Sequence, residues 1–245
     1  MTVSEAARKN LQELKGKPFK QQLEHIISYY GVSILVFAIF LAVGIGYLIH
    51  IITLKEEVLN VSCIGPVSVQ AGTEDYTRDF AQFAGIDLDR YEVDISTNLS
   101  TANQTNGSYE SVELLTTLVA SKAVDVVAAD VDYLMDQMYQ NLFADLTGIL
   151  SPEQLETYQD SFLYIDMSVV REIKNMTLPE DVPEYPDPTK PEDMKEPVAV
   201  AIRLSDSVSF VNQFFLKNEG DTAIAFAVNT KNLENALLFL DYIHQ

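Results

Sequence analysis

The chain has 245 residues, a formal net charge of −20 and one cysteine. Its 36 acidic side chains against 16 lysines and arginines leave no clustered positive charge for a phosphate backbone, which excludes nucleic acid as a partner. Cys63 alone permits no intramolecular disulfide, so any globular part must be held by its own apolar core.

Residues 1–28 read as a basic tail carrying Arg8, Lys9, Lys15, Lys17 and Lys20, and residues 29–54 as a transmembrane helix. Gly31 to Thr53 contains no Asp, Glu, Lys or Arg. At about 1.5 Å per residue this stretch reaches roughly 34 Å, against a hydrocarbon core of about 30 Å. Tyr29, Tyr30 and Tyr47 suit the interfacial aromatic belt. A cleaved signal peptide fits less well, because the run is long and ends in Thr53-Leu54-Lys55-Glu56-Glu57 without a small-residue cleavage site. Five basic residues precede the span and only Lys55 follows it closely, which places the N-terminus in the cytoplasm and residues 55–245 outside the cell membrane. That outer segment holds 33 acids and 11 lysines and arginines, an acidic excess of 22.

Within 55–245 short apolar runs alternate with segments of helical period. Val58–Ile64, Tyr91–Ile95, Val124–Ala129, Val198–Leu204 and Thr222–Val228 read as strands. Thr73–Phe83, Tyr109–Lys122, Val131–Tyr139, the stretch opened by Ser151-Pro152, Val208–Leu216 and Thr230–Ile243 read as helices. Ser96 to Ser108 reads as a polar loop. Six of the nine prolines fall between Pro179 and Pro197, so residues 178–197 read as an extended, proline-rich connector. The alternation predicts an α/β domain with a mainly parallel sheet.

Three segments carry a resemblance. Ala123-Val124-Asp125-Val126-Val127-Ala128-Ala129-Asp130 is followed by a helix and Asn141-Leu142-Phe143-Ala144-Asp145-Leu146-Thr147. The second is Glu196-Pro197-Val198-Ala199-Val200-Ala201-Ile202, and the third runs from Ala223 to Asn232. Together they resemble extracytoplasmic solute-binding proteins of the type 2 periplasmic-binding fold, in a membrane-anchored form associated with Firmicutes. The resemblance implies one lobe of that fold with a reduced second lobe, since only about 50 residues, Ser151 to Pro197, stand where a second lobe belongs.

Catalytic signatures are absent from the sequence. Beyond the span the only histidine is His244, and no nucleophile elbow, zinc-helix motif or phosphate-cradling glycine loop occurs. The reading is therefore non-enzymatic, with no metal and no cofactor. Asp130 and Asp132 stand at the C-terminal edge of a sheet strand, where α/β ligands bind, and suit a sugar hydroxyl or a cation; such an aspartate also serves as a plain helix cap. Ser205, Asp206 and Ser207 follow a second strand and admit the same two readings. Two functions are open: binding of a small solute beside a membrane transporter or other surface protein, and a scaffold or assembly role on a fold that has lost its ligand.

Overall fold

The computed structural model describes residues 18–65, 72–99, 109–176, 183–215 and 220–244, in two compact units, Met1–Leu54 and Lys55–Gln245. The described residues of the first unit form a helix, α1 (Phe19–Thr53), whose Tyr30–Leu48 window has a mean hydropathy of 2.4 and no burial within the chain. It is long and apolar enough to cross a membrane. Leu35, Phe37, Phe40, Val43 and Leu48 stand exposed along it, an arrangement that water disfavours and a bilayer accepts. The basic tail up to residue 17 lies outside the described residues.

The second unit is a six-stranded sheet between two layers of helices. Its strands are β1 (Glu56–Ile64), β2 (Tyr91–Leu99), β3 (Val126–Asp130), β4 (Phe162–Asp166), β5 (Pro197–Arg203) and β6 (Thr222–Phe226), in the order β2-β1-β3-β6-β5-β4. The helices are α2 (Thr73–Ala84), α3 (Tyr109–Ala120), α4 (Val131–Met138), α5 (Leu146–Ile149), α6 (Pro152–Tyr158), α7 (Met167–Asn175), α8 (Ser209–Phe214) and α9 (Leu233–Ile243).

Strand alternation decides which side chain meets which layer. Val126 and Ala128 of β3, with Ile224 and Phe226 of β6, face a core built by Tyr76 and Phe80 of α2, Phe210 and Phe214 of α8, and Phe239 of α9. Tyr76 is the hub there, with ring contacts to Phe210, Phe214, Phe239 and Tyr242 at 5.1 to 6.5 Å. Val127, Ala129, Ala223 and Ala225 face the opposite layer, where Leu115 and Val119 of α3, Leu134 and Met138 of α4 and Val170 of α7 pack. Small alanines on this side let the helices approach closely. Each large core side chain contributes about 1.5–3 kcal/mol by leaving water.

The sheet is mixed, which corrects the expectation of a mainly parallel one. β1 pairs in parallel with β2 and β3, but β3–β6, β6–β5 and β5–β4 are all antiparallel. β3, β5 and β6 are buried on both faces, so their unbroken apolar runs look alike whichever way they point. β2 also extends to Leu99 in register with Ile64, so Ser96–Leu99 is strand where a loop was expected; residues 100–108 lie outside the described residues. Within Ser151–Pro197, β4 joins this same sheet as an edge strand, and Tyr164 N–H donates to Pro188 O of the connector at 2.8 Å.

Two buried aspartates fix loops at the end of the sheet where β6 finishes and β5 begins. Asp125, 1% exposed, accepts from Asn60 N–H and Asn232 Nδ2, both at 2.9 Å, and from the Thr230 hydroxyl. Asp166, 4% exposed, caps α7 through Ser168 N–H at 2.8 Å and accepts from Lys195 and Glu196 N–H at 2.8 and 3.2 Å. Burial alone would raise the Asp166 carboxyl, but those hydrogen bonds outweigh it and hold the group below the usual carboxylate range.

Candidate binding edge of the sheet

Asp130 and the Ser205–Ser207 turn, 75 residues apart in the chain, lie at the same end of the sheet. β3 and β5 point the same way because each is antiparallel to β6 between them. Asp130 is in register with Thr222, the first residue of β6. Val131 N–H donates to Asp221 O and Leu204 N–H donates to Thr222 O, both at 2.8 Å. β6 lies between β3 and β5, so Asp130 and the turn that follows β5 flank Thr222 from opposite sides.

Asp130 is the N-cap of α4, with φ −58° and ψ 141°, and its Oδ1 accepts from Asp132 N–H at 2.8 Å. Burial pushes its carboxyl above the usual value, the Asp132 N–H pulls it back, and the Asp132 and Asp221 charges add to the rise. Asp132 is exposed in the first turn of α4. Its amide serves the cap and its carboxylate meets solvent.

Ser205, Asp206 and Ser207 are all exposed and form a turn closed by Val208 N–H to Ser205 O at 2.9 Å. The Ser205 and Ser207 hydroxyls share a hydrogen bond at 2.9 Å, and Asn212 Nδ2 reaches back to Asp206 O at 2.7 Å. The turn precedes α8 without giving it a side-chain cap.

The structure adds Arg203, Gly220, Asp221 and Thr222, which sequence reading passed over. Arg203 and Asp221 form an exposed ion pair at 3.6 Å that links β5 to the turn before β6. Gly220 has φ +122°, a conformation glycine alone adopts readily. Gly-Asp just ahead of an apolar strand is a turn signal and was the available cue.

Oxygen acceptors and hydroxyls at this edge suit hydroxyl groups and positive charge. Elsewhere, His244 packs on Tyr158 at 4.7 Å and its Nδ1 lies 2.9 Å from Leu240 O, engaged at the end of α9. Cys63 is wholly buried, and burial pushes its thiol up, away from the reactive thiolate. Among the described residues no group of three His, Cys, Asp or Glu is arranged to hold a metal ion. Comparison of the chain with protein-family models, with curated proteins and with solved structures gives no match in any of the three.

Proposed function

We propose that the chain is a membrane-tethered, non-enzymatic binding module. α1 anchors it as a single pass with the basic residues 8–20 in the cytoplasm, and Lys55–Gln245 takes a small neutral or cationic solute outside the cell, beside a membrane partner such as a transporter. The observation that carries the reading is the convergence of Asp130 and Ser205–Ser207 at one sheet edge across Thr222. The surrounding acidic excess favours cations and hydroxylated solutes over anions. The further likeness to one lobe of a type 2 periplasmic-binding protein belongs to this proposal.

A second reading, a scaffold without a ligand, is favoured by one observation. Asp130 spends Oδ1 on its own helix, and Ser205 and Ser207 bond to each other. The two readings separate by melting the full-length chain in neutral-lipid nanodiscs against sugars, amino acids, amines and divalent cations. A ligand at 100 times its Kd adds about 2.7 kcal/mol, a shift of roughly 5–10 °C. A shift lost in Ser205→Ala/Ser207→Ala establishes the binding edge. A flat screen on a cooperatively melting chain supports the scaffold. Retention in the membrane pellet at alkaline pH, with protease removing the C-terminal part only from outside, tests the anchor and its orientation.

A further inference from the structure

A second concave site lies away from that edge, between the chain just after α4 and one face of α7. It is a half-open hollow of about 480 Å³, within the roughly 300–1,000 Å³ typical of small-molecule pockets. Met167, Val170, Arg171 and Lys174 fall at i, i+3, i+4 and i+7, so they form one stripe of α7. Tyr139, 1% exposed, forms the opposite wall and is held by an 8° stack on Tyr185 with ring centres 4.1 Å apart. Its lining is mixed: Tyr139, Met167, Val170 and Ile173 are apolar or aromatic, and Gln140, Asn141, Arg171 and Lys174 are polar or charged.

Its charge runs against the rest of the unit. Among the described residues no acidic side chain lines it, although 33 acids stand beyond residue 54; two of the 11 basic residues there do. Arg171 pairs with Glu196 outside the lining, and Lys174 has no ion pair among the described residues. A cation with no ion pair among the described residues, beside an apolar hollow, matches a ligand that joins a negative head to an apolar body.

We propose that this cavity binds a small organic monoanion with an aryl or short acyl body, its carboxylate on Lys174 and Arg171 and its body against Tyr139, Met167 and Val170. The proposal is independent of the sheet edge, which uses other residues and the opposite sign of charge. The test is calorimetric titration of 3-phenylpropionate into the full-length chain in phosphatidylcholine nanodiscs, with empty nanodiscs subtracted. The expected result is saturable binding, weakened about tenfold or more for the neutral amide 3-phenylpropionamide and in Lys174→Glu, as befits loss of a charged hydrogen bond. Val170→Phe, which fills the hollow, abolishes binding, and Asp130→Asn leaves it unchanged. Absence of saturable heat up to about 10 mM overturns the proposal, since even a Kd of 1 mM would register. Equal binding of the amide, or full binding by a normally melting Lys174→Glu chain, overturns it too.

Discussion

A Cβ added to Gly220 would stand 2.0 Å from Asp130 Oδ2. The carboxylate that caps α4 is thus seated directly on the backbone of the turn before β6. The contact joins β3 and β6 at the edge where Thr222 faces Asp130. Gly220 does two jobs at once: it adopts φ +122° and it clears space for a carboxylate.

Gly220→Ala is accordingly expected to destabilise the fold by about 1–3 kcal/mol or more, since backbone strain and a clash with a seated side chain add. Asp130→Ala alone costs about 1 kcal/mol through the lost cap. The double variant should be less harmful than the sum of the two, because removing the carboxylate relieves the clash and leaves only the φ strain. Urea midpoints of the four chains measure the coupling. Strict additivity would mean that Asp130 and Gly220 do not meet.

That pair also marks what sequence patterning makes legible. Asp130 was readable as strand end and cap because an apolar run stopped there and a helical period began. Its seat on Gly220 was not, since it depends on β6 lying antiparallel beside β3. The positions of five strands and of the long apolar helix emerged from periodicity and apolar length, whereas strand direction did not. β4 was missed for a related reason: Phe162-Leu163-Tyr164-Ile165 is a short apolar run wedged between two helices, near the proline connector, and nothing local shows that it joins the sheet at β5. The cavity beside α7 left no sequence signal beyond two cations on a stripe, because its other wall comes from α4's end through tertiary packing.

Gln137 offers a stabilising change. It is 0% exposed, and neither its side-chain Nε2 nor its Oε1 has a hydrogen-bond partner among the described residues. Leaving such groups unsatisfied costs about 1–3 kcal/mol, so replacing the amide by an apolar group of similar length relieves the fold. Gln137→Met is expected to raise Tm by about 2–4 °C, the shift that roughly 1 kcal/mol produces in a domain of this size. A lowered Tm would show that the amide has a partner in solution, such as an internal water.

Asp125 and Asp132 are seven residues apart and should behave oppositely on truncation. Asp125 is buried and holds Asn60, Thr230 and Asn232 together, so Asp125→Ala strips a charged acceptor from three donors. The expected loss is about 3 kcal/mol or more, with proteolytic cleavage appearing first in the Asn229–Asn232 loop that Asp125 ties to β1. Asp132 is exposed and lends the Asp130 cap only its backbone, so Asp132→Ala should stay within about 0.5 kcal/mol of the parent. Comparable losses for the two would mean that Asp125 is not the tie the geometry describes.

The pH dependence of stability should have a maximum on the acid side of neutrality. Burial raises the carboxyls of Glu57, Asp94, Asp130 and Asp136 above their ordinary values, and at Glu57 the charges of Asp125, Asp94 and Glu92 add to it while Lys231 opposes. A carboxyl raised in the folded state takes up a proton more readily there than in the unfolded chain, so acidification from neutrality favours the fold. Asp166 and Asp187 act in the opposite sense. Asp187 is held down to about 2, first by the Thr189 hydroxyl, then by its N–H and by Lys190. Groups lowered in this way stabilise the fold above their ordinary value of 3.8, and that contribution disappears as pH falls through the folded value. Urea midpoints should therefore rise as pH falls from neutrality toward the ordinary carboxylate range and fall again once pH drops below it. Asp166→Asn should flatten the acid limb and leave the rise above it intact. A midpoint that declines steadily from neutrality downward would mean that the half-buried Glu57, Asp130 and Asp136 and the exposed Asp94 are as well solvated in the folded chain as in the unfolded one.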